Sequence, residues 1–417
     1  MKVSVLTLGC KANQAESFLI ESHLAASGHT VVDLNQKPEL CIINTCSVTA
    51  KSDYQSRQLI RRSHRTGARV IVTGCYSELN HETVSSMEGV TRIIRNDEKV
   101  HIIEELTGTA RVNSASLCLN RRSRFFLKVQ DGCNYSCSYC IIPTARGRSR
   151  SLAIEEIVRQ LEDVSPVFNE VVITGIHLGT YGYDLYPKSS LSVLLKSLLK
   201  TDLKRIRLSS LEITEVHEEL LEIIQDEKVC KHLHIPLQSG DDRILGLMKR
   251  PYDSKRFKNG LEEIYKRIPD IAIGTDIIAG FPGEGEQEFA NSERLVRSHP
   301  FAYLHAFPFS PRQGAVAATL QRQVPSEVKK ARTNRLIELG REKKRLFMEK
   351  QNGRTLDLLV EERGEDGAIT GTTGNYLKVK VQLPDALLKQ IVNVRIVGHA
   401  DEVLIGVPIE SPKLPGK

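Results

Sequence analysis

From Lys2 to about residue 105 the chain alternates short runs rich in valine and isoleucine, VSVLTLG, LCIINT, RVIVTG and VTRIIR, with stretches of helix length. That alternation predicts a parallel sheet with crossover helices, an amino-terminal α/β domain over 1–105. Residues 106–124 lose periodicity and gain small and polar residues, as a linker does. From Phe125 a second set of strand-like runs begins: FFLKVQ, EVVITG, RIRLSS, HLHIP, IAIGTDII and AYLHAF, with mostly helical segments between them. Six such units over 125–325 predict an open, partial (β/α)6 barrel rather than a closed one of eight, with its active site at the carboxyl ends of the strands. SEVKKARTNRLIELGREKKRLFMEK then predicts one basic helix over 326–351. TLDLLVEE, AITGTTGNYLKVKVQ and IVNVRIVG, separated by glycine turns, predict a small all-β barrel over 352–411, of a kind that often grips nucleic acid, before a tail at 412–417. No repeat of solenoid period interrupts this order.

Composition narrows the class. A chain of 417 residues that is 40% hydrophobic has room for two or three domains with real cores. The opening MKVSVLTLGC is too brief for a signal-peptide core, and no stretch approaches the roughly eighteen apolar residues of a membrane span, so a cytoplasmic protein without a membrane partner is expected. Nine cysteines, odd in number and unevenly spaced, do not suit a disulfide framework, which makes metal binding the leading explanation. The net charge of +7 is compatible with a polyanionic partner without requiring one.

Cys133, Cys137 and Cys140 stand in CNYSCSYC, directly after the first barrel strand. A structural zinc site or an electron-carrying cluster takes four protein ligands, yet no histidine follows this triplet until His177. One metal position is left open. An open iron on a four-iron cluster can be chelated by the amino and carboxylate groups of S-adenosylmethionine, so that an electron passed through the cluster breaks the sulfonium C–S bond. The C-x3-C-x2-C spacing, with Tyr139 before the last cysteine, resembles the radical S-adenosylmethionine enzymes; a three-cysteine zinc site completed from a distance is the alternative. Gly175 after the second strand, Arg207, Ser209, Ser210 and Glu212 after the third, and His234, Gln238 and Gly240 after the fourth resemble that superfamily's cofactor pocket. Turn formation and helix capping are their ordinary uses. Among these, Tyr139, Gly175, Arg207, Ser209, Glu212 and Gln238 are the candidate cofactor contacts.

Cys10 in LTLGC, Cys46 in INTC and Cys75 in VTGC each follow a strand of the amino-terminal sheet. A parallel sheet aligns its carboxyl ends along one edge, so cysteines remote in sequence become neighbours there. They can share a second cluster, again with three ligands and an open iron. Cys41, Cys118 and Cys230 read instead as small core residues.

Two three-cysteine sites, a sheet domain before a partial barrel and a β domain after it are together similar to the methylthiotransferases, a radical S-adenosylmethionine family, across nearly the whole chain. LGCKANQAES, NTCSVTAKSD and GCNYSCSYCIIPTARGRSRS look most like the bacterial branch acting on threonylcarbamoyladenosine in tRNA, although Ala12 stands where valine is common in that branch. The carboxyl-terminal segment resembles the RNA-binding TRAM domain. The resemblance implies methylthiolation of carbon 2 of N6-threonylcarbamoyladenosine next to the anticodon, with two 4Fe-4S clusters and S-adenosylmethionine as radical source and methyl donor. The Cys133, Cys137 and Cys140 cluster would make the radical, and the Cys10, Cys46 and Cys75 cluster would carry the sulfur. An electron donor such as flavodoxin or ferredoxin is implied as well; the sulfur source is not identified, and neither is any catalytic residue beyond the clusters.

Arg146, Arg148 and Arg150 behind the radical cluster, the basic helix, and Lys378 and Lys380 in the β segment are candidate tRNA contacts, with a solvated face as the other reading, preferred for the helix. Two other functions compete. One is the same chemistry on isopentenyladenosine tRNA or a ribosomal protein, and the other is a noncatalytic RNA-binding protein whose cysteines hold structural metal.

Overall fold

The computed structural model describes residues 1–99, 102, 104, 106 and 122–409; most of the expected linker, Cys118 and the carboxyl-terminal tail lie outside them. The amino-terminal sheet has the order β2-β1-β3-β4-β5, formed by β1 (Lys2–Thr7), β2 (Thr30–Val31), β3 (Leu40–Thr45), β4 (Arg69–Gly74) and β5 (Val90–Ile93), with every neighbouring pair parallel. Only β2, two residues long, left no trace in the hydrophobic pattern. Every residue of β3 is buried because helices cover both faces: Leu40 and Ile42 join Val3, Ile20 and Leu24 on one side, Cys41 and Ile43 join Ile60, Val70 and Val72 on the other. Cys41 is thus a core residue, as expected.

A second sheet, β7-β6-β8-β9, contains β6 (Phe125–Asp131), β7 (Arg150–Ser151), β8 (Glu170–Gly175) and β9 (Arg205–Leu208); a third contains β10 (His232–His234), β11 (Ala272–Ala279) and β12 (Tyr303–Pro308). Parallel bridges from Ile206 to Val229 and from Ser210 to His234 join the two. The result is a run of six parallel strands in chain order, β6, β8, β9, β10, β11 and β12, and no pairing joins β12 back to β6 among the described residues. Their outer faces pack on helices in one large apolar core from Phe125 to Leu339. The inner face is different: Arg207, His232, His234, Asp276, Tyr303 and His305 line it with charge and aromatic rings.

The helix Ser326–Glu349 lies along β12 and buries Leu336, Leu339, Phe347 and Met348. Two of its basic residues turn inward: Arg332 pairs with Glu284, and Lys343 donates to the carbonyls of Arg297 and His299. Beyond it, β13 (Thr355–Arg363), β14 (Ile369–Thr373), β15 (Lys378–Val381), β16 (Ile391–Ala400) and β17 (Val403–Pro408) close into a barrel of order β13-β14-β15-β17-β16. The run AITGTTGNYLKVKVQ is two strands, broken at the turn that carries Tyr376. Among the described residues no helix is long and apolar enough to cross a membrane.

Candidate functional site

The loop leaving β6 carries Cys133, Cys137 and Cys140, all free thiols. Backbone N–H groups of Tyr135 and Ile142 point at the sulfurs of Cys133 and Cys140, each at 3.4 Å, and Arg250 Nη1 lies 3.3 Å from Cys137 Sγ. Donors aimed at sulfur stabilise thiolate. Burial alone does the opposite, pushing the Cys140 thiol up to about 12 and raising Cys137 as well. Three free thiols on one loop, with donors aimed at their sulfurs, fit a metal cluster whose iron would displace the protons. His177 Nδ1 lies 3.5 Å from Cys133 Sγ, with its Nε2 on Glu215. Burial works against its charge, yet Cys133 and Glu215 carry the imidazole up to about 10. His177 thus stands between the Cys133 sulfur and the Glu215 carboxylate.

Of the candidate cofactor contacts, Tyr139 and Glu212 are tied to this loop through Arg250. Tyr139 is packed beneath the loop and its hydroxyl lies 3.2 Å from Arg250, which also pairs with Glu212. Gly175 ends β8 where an added Cβ would sit 2.8 Å from Gln130 Oε1, so its smallness serves the Gln130 side chain, which accepts from the His177 backbone. Ser209 is buried with its hydroxyl unpartnered among the described residues, and Gln238 turns the chain at a φ of 63° between β10 and β11. Arg207 does not belong with them. It is wholly buried and its guanidinium is engaged by Glu170 and by the carbonyls of Thr373 and Gly374 in the carboxyl-terminal barrel.

The three cysteines of the second triplet each follow a strand of the amino-terminal parallel sheet. Cys10 caps the helix Lys11–Ala26, Cys46 follows β3, and Cys75 opens a short helix after β4. Two glycines in left-handed conformation make the approach possible: a Cβ on Gly9 would meet Cys46 Sγ at 2.7 Å, and one on Gly74 would meet the backbone of Thr45 at 2.3 Å. Burial raises both Cys46 and Cys75, and each also feels the charge of Cys10. The donor set again suits a cluster held by three sulfurs.

Between the triplets lies a buried charge network that the sequence did not announce. Arg146 Nε is 3.3 Å from Cys75 Sγ, while its Nη1 pairs with Glu16 at 2.8 Å and with Asp131 at 2.9 Å, and Nη2 reaches Asn13. Lys99 and Lys128 join the same Glu16 carboxylate. Burial pushes that carboxyl up, but Lys99, Lys128 and Arg146 hold it well below the usual range. The expectation that Arg146 touches tRNA phosphate is thereby corrected: its side chain has no exposure, and every arm is engaged. Arg148 and Arg150 remain exposed. Lys378 is also exposed and Lys380 half-buried, but they face Glu361 and Asp366, which offset their charge.

Inside the open ring of strands runs an aromatic shelf. The rings of His232 and Tyr303 stack at 5.9 Å, His232 and Tyr376 approach to 4.5 Å, and Tyr303 continues to His305 at 5.1 Å. Gly274 makes room for it, since a Cβ there would lie 1.9 Å from the Tyr303 ring. Asp276 accepts from His234 at 3.0 Å and His305 at 3.1 Å, and both histidines hold its carboxyl far below the usual range despite burial. The alternation HLH and YLHAF places these side chains on one face and is the signal that could have found them.

Residues 2–95 match the family model described as "Uncharacterized protein family UPF0004", and residues 127–296 match that of the "Radical SAM superfamily". The threonylcarbamoyladenosine tRNA methylthiotransferase MtaB of Aquifex aeolicus is 36% identical over 91% of this chain and 96% of its own length. The same-named protein of Bacillus subtilis is 33% identical over 94% and 93%. The tRNA-2-methylthio-N(6)-dimethylallyladenosine synthase of Aliarcobacter butzleri is 31% identical over 95% and 96%. Among solved structures, the cobalamin-dependent S-adenosylmethionine radical enzyme OxsB with aqua-cobalamin bound has a TM-score of 0.51 at 12% identity, covering 84% of this chain. This chain spans 56% of that protein, and the likeness is one of fold alone.

Proposed function

The chain belongs to the radical S-adenosylmethionine methylthiotransferases, and from that premise we propose that it methylthiolates carbon 2 of N6-threonylcarbamoyladenosine in tRNA. Membership brings one 4Fe-4S cluster and S-adenosylmethionine, and it sets aside the noncatalytic RNA-binding alternative. We assign the first cluster to Cys133, Cys137 and Cys140, and a second to Cys10, Cys46 and Cys75. Domain bounds follow the same reading: a sheet domain to about residue 105, a partial (β/α)6 barrel to about 325, and a TRAM-like RNA-binding barrel after the helix.

The observation that carries the reading is Arg146. One side chain reaches from Cys75 to Asp131, two residues before Cys133, so it joins the neighbourhoods of the two triplets across the domain boundary. An aromatic C–H has neither useful acidity nor a leaving group, so acid–base side chains cannot functionalise it. A cluster held by Cys133, Cys137 and Cys140, with S-adenosylmethionine on its open iron, would supply the radical chemistry that can. This chain's residues do the rest: Arg250 and His177 sit on the sulfurs of the first triplet, Ser209, Glu212 and Gln238 offer polar contacts, and Arg146 fixes the second triplet opposite.

Chemistry on a dimethylallyladenosine tRNA or a ribosomal protein is the competing substrate reading, carried by relatives at 31% and 33% identity. Mass analysis of tRNA nucleosides from a strain lacking the gene separates them. Loss of the methylthio group from threonylcarbamoyladenosine alone is expected; unchanged nucleosides would refute the proposal.

A further inference from the structure

Lys11 follows Cys10 directly and opens the helix Lys11–Ala26, so its position is fixed beside the second triplet. Its ammonium lies 5.5 Å from the centroid of the Tyr376 ring, and the Arg207 guanidinium lies 5.1 Å from the same ring. The neighbouring cations are neutralised within the protein: Arg207 by Glu170, and Arg124 by Glu170 and Glu361. Lys11 is not. Among the described residues it has no ion-pair or hydrogen-bond partner, only the aromatic face. A partly buried cation without an anion is costly, and one placed at the end of an aromatic shelf points to an anionic ligand with a flat ring.

We propose that Lys11 is the specificity-determining residue that receives the carboxylate of the threonylcarbamoyl group, a reading that rests on the substrate proposed above. Carbon 2 and the N6 substituent flank the same edge of the purine. Wherever carbon 2 is presented to the second triplet, the group on N6 falls beside it, and Lys11 is the residue next to Cys10. His232, Tyr303 and Tyr376 supply faces on which a purine stacks. The threonylcarbamoyl group ends in a carboxylate, whereas a dimethylallyl group is a neutral hydrocarbon that would leave the ammonium unpaired. The same contact therefore attracts one modified adenosine and disfavours the other.

The test uses reconstituted full-length protein and anticodon stem-loop RNA carrying threonylcarbamoyladenosine, its neutral carboxamide analogue, or dimethylallyladenosine. Wild type should prefer the carboxylate RNA over the carboxamide by roughly 10- to 100-fold in kcat/KM and show the same order in binding affinity. Lys11→Met should bring the two RNAs to equality by lowering only the carboxylate one, and Lys11→Arg should restore part of the preference. Iron content confirms that each variant retains both clusters. If Lys11→Met loses iron, the affinities of wild type for the two RNAs decide alone. A wild type indifferent to carboxylate against carboxamide, or a Lys11→Met protein that keeps the preference, overturns the role of Lys11 while the substrate stands. Turnover of the dimethylallyl RNA alone overturns both.

Discussion

Glu170 is where the structure makes its sharpest energetic prediction. The carboxylate opens β8 with no exposure and meets Arg205 at 2.6 Å, Arg207 at 2.9 Å and Arg124 at 3.6 Å. Arg205 and Arg207 then reach onward to Asp357 and to the carbonyls of Thr372, Thr373 and Gly374, clamping the carboxyl-terminal barrel to the strand ring. Glu170→Gln keeps the shape and removes the charge, leaving two guanidiniums that are 2% and 0% exposed with one outlying carboxylate between them. Removing one partner of such a pair costs about 3–5 kcal/mol. Burial pushes the Glu170 carboxyl up, but Arg207, Arg205 and Arg124 hold it far below its usual range. A depressed carboxyl contributes stability above its ordinary pKa, about 4.3, and loses it only as the pH falls toward the folded value, so the deficit should be the same at pH 6 and pH 8. Urea midpoints at both pH values, with limited proteolysis at the joint near Gln351–Arg354, measure it; the chain has several domains, so the proteolysis reports the local release. Glu219→Gln, which breaks the exposed pair with Lys196, is the control and should leave the midpoint in place. A Glu170→Gln protein that matches this control in both measurements would refute the reasoning.

Other outcomes follow from the two triplets and the basic loop. Alanine at Cys133, Cys137 or Cys140 should abolish reductive formation of 5′-deoxyadenosine in anaerobically reconstituted protein, and persistence of that product would overturn the radical assignment. Alanine at Cys10, Cys46 and Cys75 together should lower iron from about eight to about four per chain while keeping 5′-deoxyadenosine and losing sulfur insertion; normal methylthiolation from protein lacking the second cluster would remove its proposed role. Arg148→Ala with Arg150→Ala should weaken tRNA binding and flatten its salt dependence, whereas an unchanged slope would mean that the loop does not touch phosphate.

The strands were legible because parallel strands covered on both faces write continuous apolar runs. LCIINT and RVIVTG could hardly be anything else, and their carboxyl ends put Cys46 and Cys75 on one edge of the sheet. Elements of two residues, β2 and β7, carry no pattern, and β17 follows β16 after only Asp401 and Glu402, so its run was not separated from the one before it. The basic residues show the limit of local reading. Arg146, Arg148 and Arg150 look alike in TARGRSRS, yet the first is sealed in a network with Glu16, Asp131 and Cys75 while the other two face solvent. Their difference depends on Glu16, 130 residues earlier in the chain. Arg207 misled for the same reason, since its partner carboxylate stands on another strand and its carbonyl acceptors in another domain.

The buried charges also bear on how the two clusters would work together. Apolar packing would join the sheet domain to the strand ring more cheaply, because ion pairs taken out of water gain little net stability. What a charge network adds is geometry: Arg146 is satisfied only when Glu16, Asn13, Asp131 and Cys75 are all in place. A slip of the interface would strand a buried guanidinium, so the arrangement tolerates one register and penalises its neighbours. A reaction that opens a substrate carbon with a radical made at one metal site and joins it to sulfur held at another depends on the distance between them, and a contact that admits a single register keeps that distance. The triplet that Arg146 touches directly is the one expected to carry sulfur, which places the most constrained side chain at the interface beside the group that must be aimed.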